Sequence, residues 1–129
     1  MGHDEFIGKV QNYARLPSRG AAELATRAVL ETLAERLSAD EAKDTAAQLP
    51  QTMQAYLLCP QPSQRFGLDE FFRRVSEREG VKLPDAVYHA RAVIHVLQEA
   101  ITPGQIADVR GQLPAEYDRL FEAGVEGQM

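Results

Sequence analysis

The first feature of this sequence is what it lacks: it has one cysteine, no tryptophan and no long apolar run. A lone cysteine, Cys59, cannot form an internal disulfide. No apolar stretch approaches the ~20 residues that a membrane-spanning helix needs, so we expect no membrane span. Residues 1–6 contain no basic segment followed by an apolar one, which is the pattern of a secretory signal. These absences predict a cytoplasmic protein.

The sequence also lacks the motifs that carry catalysis. Its nine glycines are scattered rather than gathered in a phosphate-binding loop, and it contains no Gly-x-Ser-x-Gly motif. His89 and His95 are six residues apart and fall on different faces of a helix. Zinc-binding pairs on one helix prefer i, i+4 spacing. The sequence therefore predicts no enzyme, no cofactor and no metal site.

Basic residues are the minority among the charged ones. Lys and Arg number 14 against 19 Asp and Glu, which gives a formal net charge of −5. Because an acidic surface repels phosphate backbones, nucleic-acid binding is disfavoured. The 129 residues fit one domain, and the hydrophobic content of 44% is that of an ordinary globular protein.

What the sequence does contain is an internal repeat. Residues 22–50 align with residues 86–114 at an offset of 64, with ten of 29 positions identical. Unrelated sequences of this composition would share about two or three. Upstream, Asp4 matches Asp69 at an offset of 65, so one residue was gained or lost in the loop before the long helix. The identical positions are Ala22/Ala86, Arg27/Arg91, Ala28/Ala92, Val29/Val93, Leu33/Leu97, Glu35/Glu99, Asp44/Asp108, Gln48/Gln112, Leu49/Leu113 and Pro50/Pro114.

Every segment shows a helical period, such as the apolar residues at intervals of four along 21–37. Ser38 with Glu41, and Thr102 with Gln105, both fit a capping box. In this motif the hydroxyl accepts a hydrogen bond from the N–H three residues on, and the Glu or Gln side chain accepts one from the cap's own N–H. The predicted helices span 4–15, 18–37, 39–48, 50–58, 68–80, 84–101, 103–112 and 114–123.

The repeat predicts the fold class. We expect an all-α single domain over 1–129, a bundle of about eight helices made of two pseudo-symmetric four-helix repeats. The first repeat covers about 4–58 and the second about 67–123, joined by a Pro-rich, extended connector at 59–66 and followed by a polar tail at 124–129. Each half alone is marginal in size for stability, so the halves are expected to share a core.

The motifs together resemble a known family. Asp-Glu-Phe-x-x-x-Val opens each half, Ala-Val-Leu-x-Thr-Leu-Ala-Glu-Arg-Leu-Ser follows in the first, and Gln-Leu-Pro recurs in both. They resemble the bacterial and archaeal family catalogued as domain of unknown function 2267, from about residue 4 to residue 121. The resemblance implies a small all-helical cytoplasmic protein, and it implies no reaction and no catalytic residues. The matching segments are 4–10, 28–38, 48–50, 68–75, 89–97 and 108–121.

The candidate site consists of polar residues that are the same in both repeats. In the favoured, structural interpretation, an arginine of the long helix pairs with an aspartate of the next helix, and a glutamine caps or bridges backbone near the proline. In the functional interpretation, a polar pocket between the repeats binds an anion through both arginines. Two glutamates, Glu35 and Glu99, are also the same in both repeats. The candidate inter-repeat cluster is Arg27, Arg91, Asp44, Asp108, Gln48 and Gln112.

Three functions are compatible with these observations. The leading hypothesis is a non-enzymatic module that acts through protein–protein contact, with an unknown protein partner or by self-association. The alternative is a small-ligand or anion binder that uses the groove between the repeats. A DNA-associated regulator is weaker, because a helix-turn-helix at 103–121 would offer only Arg119 beside acidic neighbours on its second helix. Function could equally lie where the repeat symmetry is broken, as at His89 opposite Ala25.

Overall fold

The computed structural model describes residues 1–58 and 63–122. Within these two ranges the chain forms eight α-helices and one 3-10 turn and contains no strand, which confirms the predicted all-α class. No helix in this part of the chain is both long and apolar enough to cross a lipid bilayer. The elements are α1 (His3–Tyr13), α2 (Arg19–Arg36), α3 (Ala39–Ala46), α4 (Gln51–Leu57), α5 (Leu68–Glu79), α6 (Leu83–Ala100), α7 (Pro103–Gly111), the 3-10 turn (Ala115–Tyr117) and α8 (Asp118–Glu122).

The two halves match helix by helix. The first residues of α1 and α5 are 65 positions apart, whereas those of α2 and α6, and of α3 and α7, are 64 apart. The offset therefore changes between the first and second helix of each half, as the alignment predicts. The backbone repeats as well, because Arg15 and Gly80 both have a positive φ, of 53° and 73°. Glycine takes this conformation readily and arginine does not, so the turn outweighs the residue preference at Arg15.

The connector is described only in part. Residues 59–62, with Cys59, lie outside the described residues, as does the predicted tail at 124–129. Residues 63–67 form no regular element. The N–H of Gln64 donates to the carbonyl of Glu35 at 2.8 Å. This bond satisfies one of the carbonyls that α2 leaves open at its end.

The last predicted helix, 114–123, is not one continuous α-helix. A 3-10 turn comes first, and α8 is only five residues long. Pro114 has extended backbone angles, φ −67° and ψ 161°, so the helical turn begins after it and tightens to the 3-10 form. The segment docks through its apolar side chains, because Tyr117, Leu120 and Phe121 are buried.

The core is shared between the halves. The long helices α2 and α6 pack against each other, and α1 and α5 each pack against both. The large aromatic and aliphatic side chains of α1 and α5 are buried, and they belong to one cluster with residues of both halves. These residues are Phe6, Ile7, Phe71 and Phe72.

Candidate functional site

The repeated glutamines join the two halves through reciprocal hydrogen bonds. Oε1 of Gln48, in the first repeat, accepts from the N–H of Thr102 at 2.8 Å. Oε1 of Gln112, in the second repeat, accepts from the N–H of Ser38 at 2.9 Å. Ser38 and Thr102 are the N-cap residues of α3 and α7. Each repeat therefore caps a helix of the other.

The capping boxes form only their first half within each repeat. The hydroxyl of Ser38 accepts from the N–H of Glu41 at 3.1 Å, and that of Thr102 from the N–H of Gln105 at 3.2 Å. The second half of each predicted box is wrong. The N–H of each N-cap residue donates to a glutamine of the opposite repeat, not to the side chain of Glu41 or Gln105. These two side chains meet each other instead, because α3 and α7 pack side by side. Nε2 of Gln105 donates to Oε2 of Glu41 at 2.5 Å.

The structure does not bring the other four candidate residues into one cluster with the glutamines. Arg27 is exposed and pairs with Glu31, one turn along α2, at 3.1 Å. Arg91 is half-buried, and its Nε has no hydrogen-bond partner among the described residues. Asp44 and Asp108 are exposed. Within the described ranges, no ion pair links either aspartate to either arginine, so the structural interpretation needs a different partner for Arg27.

The repeated glutamates form equivalent ion pairs between the halves. Glu99 pairs with Lys9 at 2.9 Å, and Glu35 pairs with Arg74 at 3.1 Å. Lys9 and Arg74 occupy matched positions, 65 residues apart. Arg78 adds two hydrogen bonds to Glu35, at 2.9 and 2.6 Å. The bonds from Arg78, supported by Arg74, hold the pKa of the Glu35 carboxyl below its ordinary value. These polar positions are therefore used to join the halves.

One buried polar pair has no counterpart in the first repeat. Nδ1 of His89 lies 2.5 Å from Oε2 of Glu79, and both side chains are almost fully buried. The matched residues in the first repeat are Ala25 and Ala14. Oε1 of Glu79 is buried and has no hydrogen-bond partner among the described residues. The spacing of His89 from other residues of α6 does not predict this pair, because Glu79 lies on a different helix, α5.

A groove of about 490 Å³ lies where α2, α7 and the connector meet, and we call it the arginine groove. Arg36, the last residue of α2, and Arg65, in the connector, both line it, and none of the described residues that line it is acidic. The repeat could not reveal it, because Ala100 stands at the position matched to Arg36. The groove is lined by Arg36, Ser38, Ser63, Arg65, Gly111, Gln112, Leu113 and Pro114.

Arg36 is held in place by its neighbours. Its Nε donates to the carbonyl of Phe66 at 2.9 Å, and its guanidinium lies 5.7 Å from the ring centroid of Tyr117. The hydroxyl of Tyr117 donates to the same carbonyl at 2.8 Å. Burial raises the pKa of Tyr117 to about 12, so this hydroxyl remains a donor at neutral pH. The orientation of Arg36 is thus set by the protein itself.

A second groove, of about 350 Å³, lies between α5 and α6, and we call it the α5–α6 groove. Its apolar lining consists of Phe72, Leu83 and Val87, and its charged lining of Asp69 and Arg73. The side chain of Phe72 is mostly covered, whereas Leu83 is 49% exposed. An apolar surface is therefore open to solvent beside one acidic and one basic residue.

The matched surface of the first repeat is polar. The positions equivalent to Leu83 and Val87 carry Arg19 and Glu23. Arg19 forms an ion pair with Asp4 of α1, and Glu23 forms a hydrogen bond with His3 of α1, each at 2.8 Å. The same fold is therefore compatible with charged residues here, so packing does not require the apolar side chains of the α5–α6 groove.

The segment considered as a helix-turn-helix presents little basic surface. Its last helix, α8, is five residues long, and its apolar side chains face the core. Arg119 is exposed, but Glu116 and Glu122 are exposed beside it. Arg110 of α7 is engaged by Asp118 at 2.9 Å. This geometry gives no support to major-groove recognition, which needs several donors on one helix face.

The fold and these contacts define a class of protein: an all-α chain of two matched halves held together by reciprocal polar contacts. One family model, described as "Uncharacterized conserved protein (DUF2267)", matches residues 3–120. The chain belongs to this family, which confirms the resemblance seen in its motifs. A search of curated proteins gives no match.

Proposed function

We propose that the protein is a non-enzymatic, cytoplasmic interaction module that associates with a second copy of itself through the α5–α6 groove. The observation that carries the proposal is the contrast between the repeats. Leu83 and Val87 form an open apolar surface where the first repeat places the charged residues Arg19 and Glu23, each bound to a residue of α1. An exposed apolar patch bordered by polar residues is typical of a protein–protein interface.

Charge favours a second copy as the occupant of the groove. Asp69 and Arg73 lie one turn apart on α5, at the same groove, and Arg73 also pairs with Glu70 of its own helix. A twofold axis through such a surface can place each aspartate of one protomer near the arginine of the other, since a twofold interface uses the same patch on both subunits. The apolar lining is a single groove between two helices, so we expect a weak, concentration-dependent dimer.

Sedimentation velocity of the full chain over a wide concentration range tests the proposal. The test variant is Leu83→Arg combined with Val87→Glu, which installs the charge types of the matched positions in the first repeat. The control is Leu24→Arg, because Leu24 is similarly exposed, at 46%, but lies outside the α5–α6 groove.

The expected result is a dimer for the wild type and for the Leu24→Arg control, and a monomer for the groove variant. Circular dichroism should show that all three are equally helical. A wild type that remains monomeric at every concentration overturns the proposal. So does a Leu24→Arg control that dissociates as much as the groove variant.

A further inference from the structure

We propose that the arginine groove is a binding site for the phosphate group of a small phosphate monoester. This inference is independent of self-association, because the groove lies beside α2, α7 and the connector rather than between α5 and α6. It uses two arginines that the sequence repeat did not single out. Its charge, its prearranged geometry and its position in the fold each support it.

The charge of the arginine groove favours an anionic ligand. The chain carries five more acidic than basic residues, and most arginines with described contacts are neutralised by a carboxylate. Arg36 and Arg65, like Arg15, Arg91 and Arg119, form no ion pair with a carboxylate among the described residues. Arg36 and Arg65 also share one groove, and none of the described residues that line this groove is acidic. The arginines that do pair with carboxylates are Arg19, Arg27, Arg73, Arg74, Arg78 and Arg110.

The hydrogen-bond donors of the groove also have a geometry that suits a phosphate. Arg36 is fixed by the carbonyl of Phe66 and by the ring of Tyr117, so binding would not require its side chain to be ordered first. A guanidinium offers a planar fork of donors that matches an oxyanion. Two arginines with the hydroxyls of Ser38 and Ser63 supply more donors than the two oxygens of a carboxylate can use, and a phosphate has the oxygens to use them.

Comparison of the two repeats indicates that packing alone does not explain Arg36. Two equivalent contacts join the repeats where α3 and α7 meet. In each, Oε1 of a glutamine accepts from the N–H of an N-cap residue of the other repeat: Gln48 from Thr102 at 2.8 Å, and Gln112 from Ser38 at 2.9 Å. The contact at Ser38 has Arg36 beside it, whereas the position matched to Arg36 in the second repeat is Ala100. The fold forms the contact at Thr102 without an arginine, so packing does not require Arg36. A volume of about 490 Å³ leaves room for an organic substituent on the phosphate. The net charge of −5 disfavours a polyanionic strand as the ligand.

The experiment is an NMR titration of the full chain with inorganic phosphate, glycerol phosphate and uncharged glycerol, at constant ionic strength. Saturable shifts at the amides of Gly111, Gln112 and Leu113 are expected with both phosphates, and tighter binding with glycerol phosphate. Arg65→Ala should weaken binding by about tenfold, as loss of a charged hydrogen-bond donor does. Arg36→Lys keeps the charge and loses the fork, and should also weaken it.

Two matched controls make the result decisive. Arg119→Ala and Arg27→Ala remove the same charge outside the groove, and both should leave the affinity within about twofold of wild type. Arg65 is exposed and forms no hydrogen bond with a described residue, so its variant should fold even if the Arg36 variant does not. Shifts that do not saturate overturn the proposal. A control variant that weakens binding as much as Arg65→Ala also overturns it.

Discussion

Nδ1 of His89 and Oε2 of Glu79 lie 2.5 Å apart in the buried space between α6 and α5. The matched residues of the first repeat are alanines, so the fold itself does not require this pair. A buried polar pair of this kind stabilises the protein only while both partners are present. Removal of one partner leaves the other buried without compensation.

Replacement of either partner alone should therefore be costly. We expect Glu79→Ala or His89→Ala to lower the free energy of unfolding by about 3 kcal/mol. The double variant restores the residue types of the first repeat and should lose less than the sum of the two, with a coupling of at least about 1 kcal/mol. Urea denaturation of the four proteins measures the cycle.

His95→Ala is the control for this cycle, because His95 is a half-buried histidine on the same helix that pairs with Glu99 rather than Glu79. Its effect should add to that of Glu79→Ala without coupling. Additive losses for Glu79→Ala and His89→Ala would contradict the assignment of a coupled buried pair.

The reciprocal glutamine caps predict an effect in the opposite repeat. Gln112→Ala should speed hydrogen exchange at the amide of Ser38, and Gln48→Ala should do so at the amide of Thr102, because each substitution removes the acceptor of that N–H. Each variant should lose about 1 kcal/mol of stability. Gln112→Ala should lose more, since Nε2 of Gln112 also donates to the hydroxyl of Ser38 at 3.0 Å.

Gln51→Ala provides the comparison for both variants, because Gln51 is an exposed glutamine at the start of α4. It should leave the exchange rates at both N-cap residues unchanged. If the amides of Ser38 and Thr102 respond only to the variant in their own repeat, the reciprocal capping is not what protects them.

The ion pair at Glu35 predicts a pH dependence of stability. Its pKa is lowered from the ordinary 4.5, first by the bonds from Arg78, so the ionised form is favoured in the folded protein. That contribution is fully present above the unfolded value of 4.5 and is lost as the pH falls through the lower, folded pKa. Glu35→Gln should therefore cost about 2 kcal/mol at neutral pH and progressively less in acid.

Glu99→Gln is the matched control, because Glu99 is the equivalent residue of the second repeat and contacts Lys9, His95 and Tyr13 rather than two arginines. The pKa of Glu99 is also lowered, mainly by the bond from Lys9, so the variant should show the same sign with a smaller loss. Chemical denaturation between neutral and acidic pH measures both. Equal losses for the two variants would show that the second arginine of Glu35 adds nothing.

Tyr117 predicts a change at the alkaline end. Burial raises its pKa to about 12, so the neutral hydroxyl stabilises the fold below its ordinary pKa of 10.0, and this contribution is lost as the pH rises through about 12. Absorbance titration should show Tyr117 ionising last of the four tyrosines, after Tyr56, whose pKa burial also raises. Tyr117→Phe should remove that step and cost about 1 kcal/mol at neutral pH, through loss of the bond to the carbonyl of Phe66. A titration with all tyrosines alike would contradict it.

Local signals predicted the helices better than they predicted contacts. The hydroxyl halves of both capping boxes are where the sequence placed them, at Ser38 and Thr102. The return bonds are not, because the N–H of each N-cap residue donates to a glutamine of the other repeat rather than to Glu41 or Gln105. Likewise the repeat singled out Arg27 and Arg91, whereas the arginine groove is lined by Arg36 and Arg65, which have no repeated partner.

The amino-acid sequence by itself determined the all-α class, the eight helical segments and the duplication, because apolar period, capping hydroxyls and prolines act over a few neighbouring residues. The pairing of side chains from different helices was decided by the tertiary structure. Gln48 reaches Thr102, and Glu79 reaches His89, only once the two halves pack. Such contacts depend on distance in space, which a pattern along one chain does not encode until the helices have been placed.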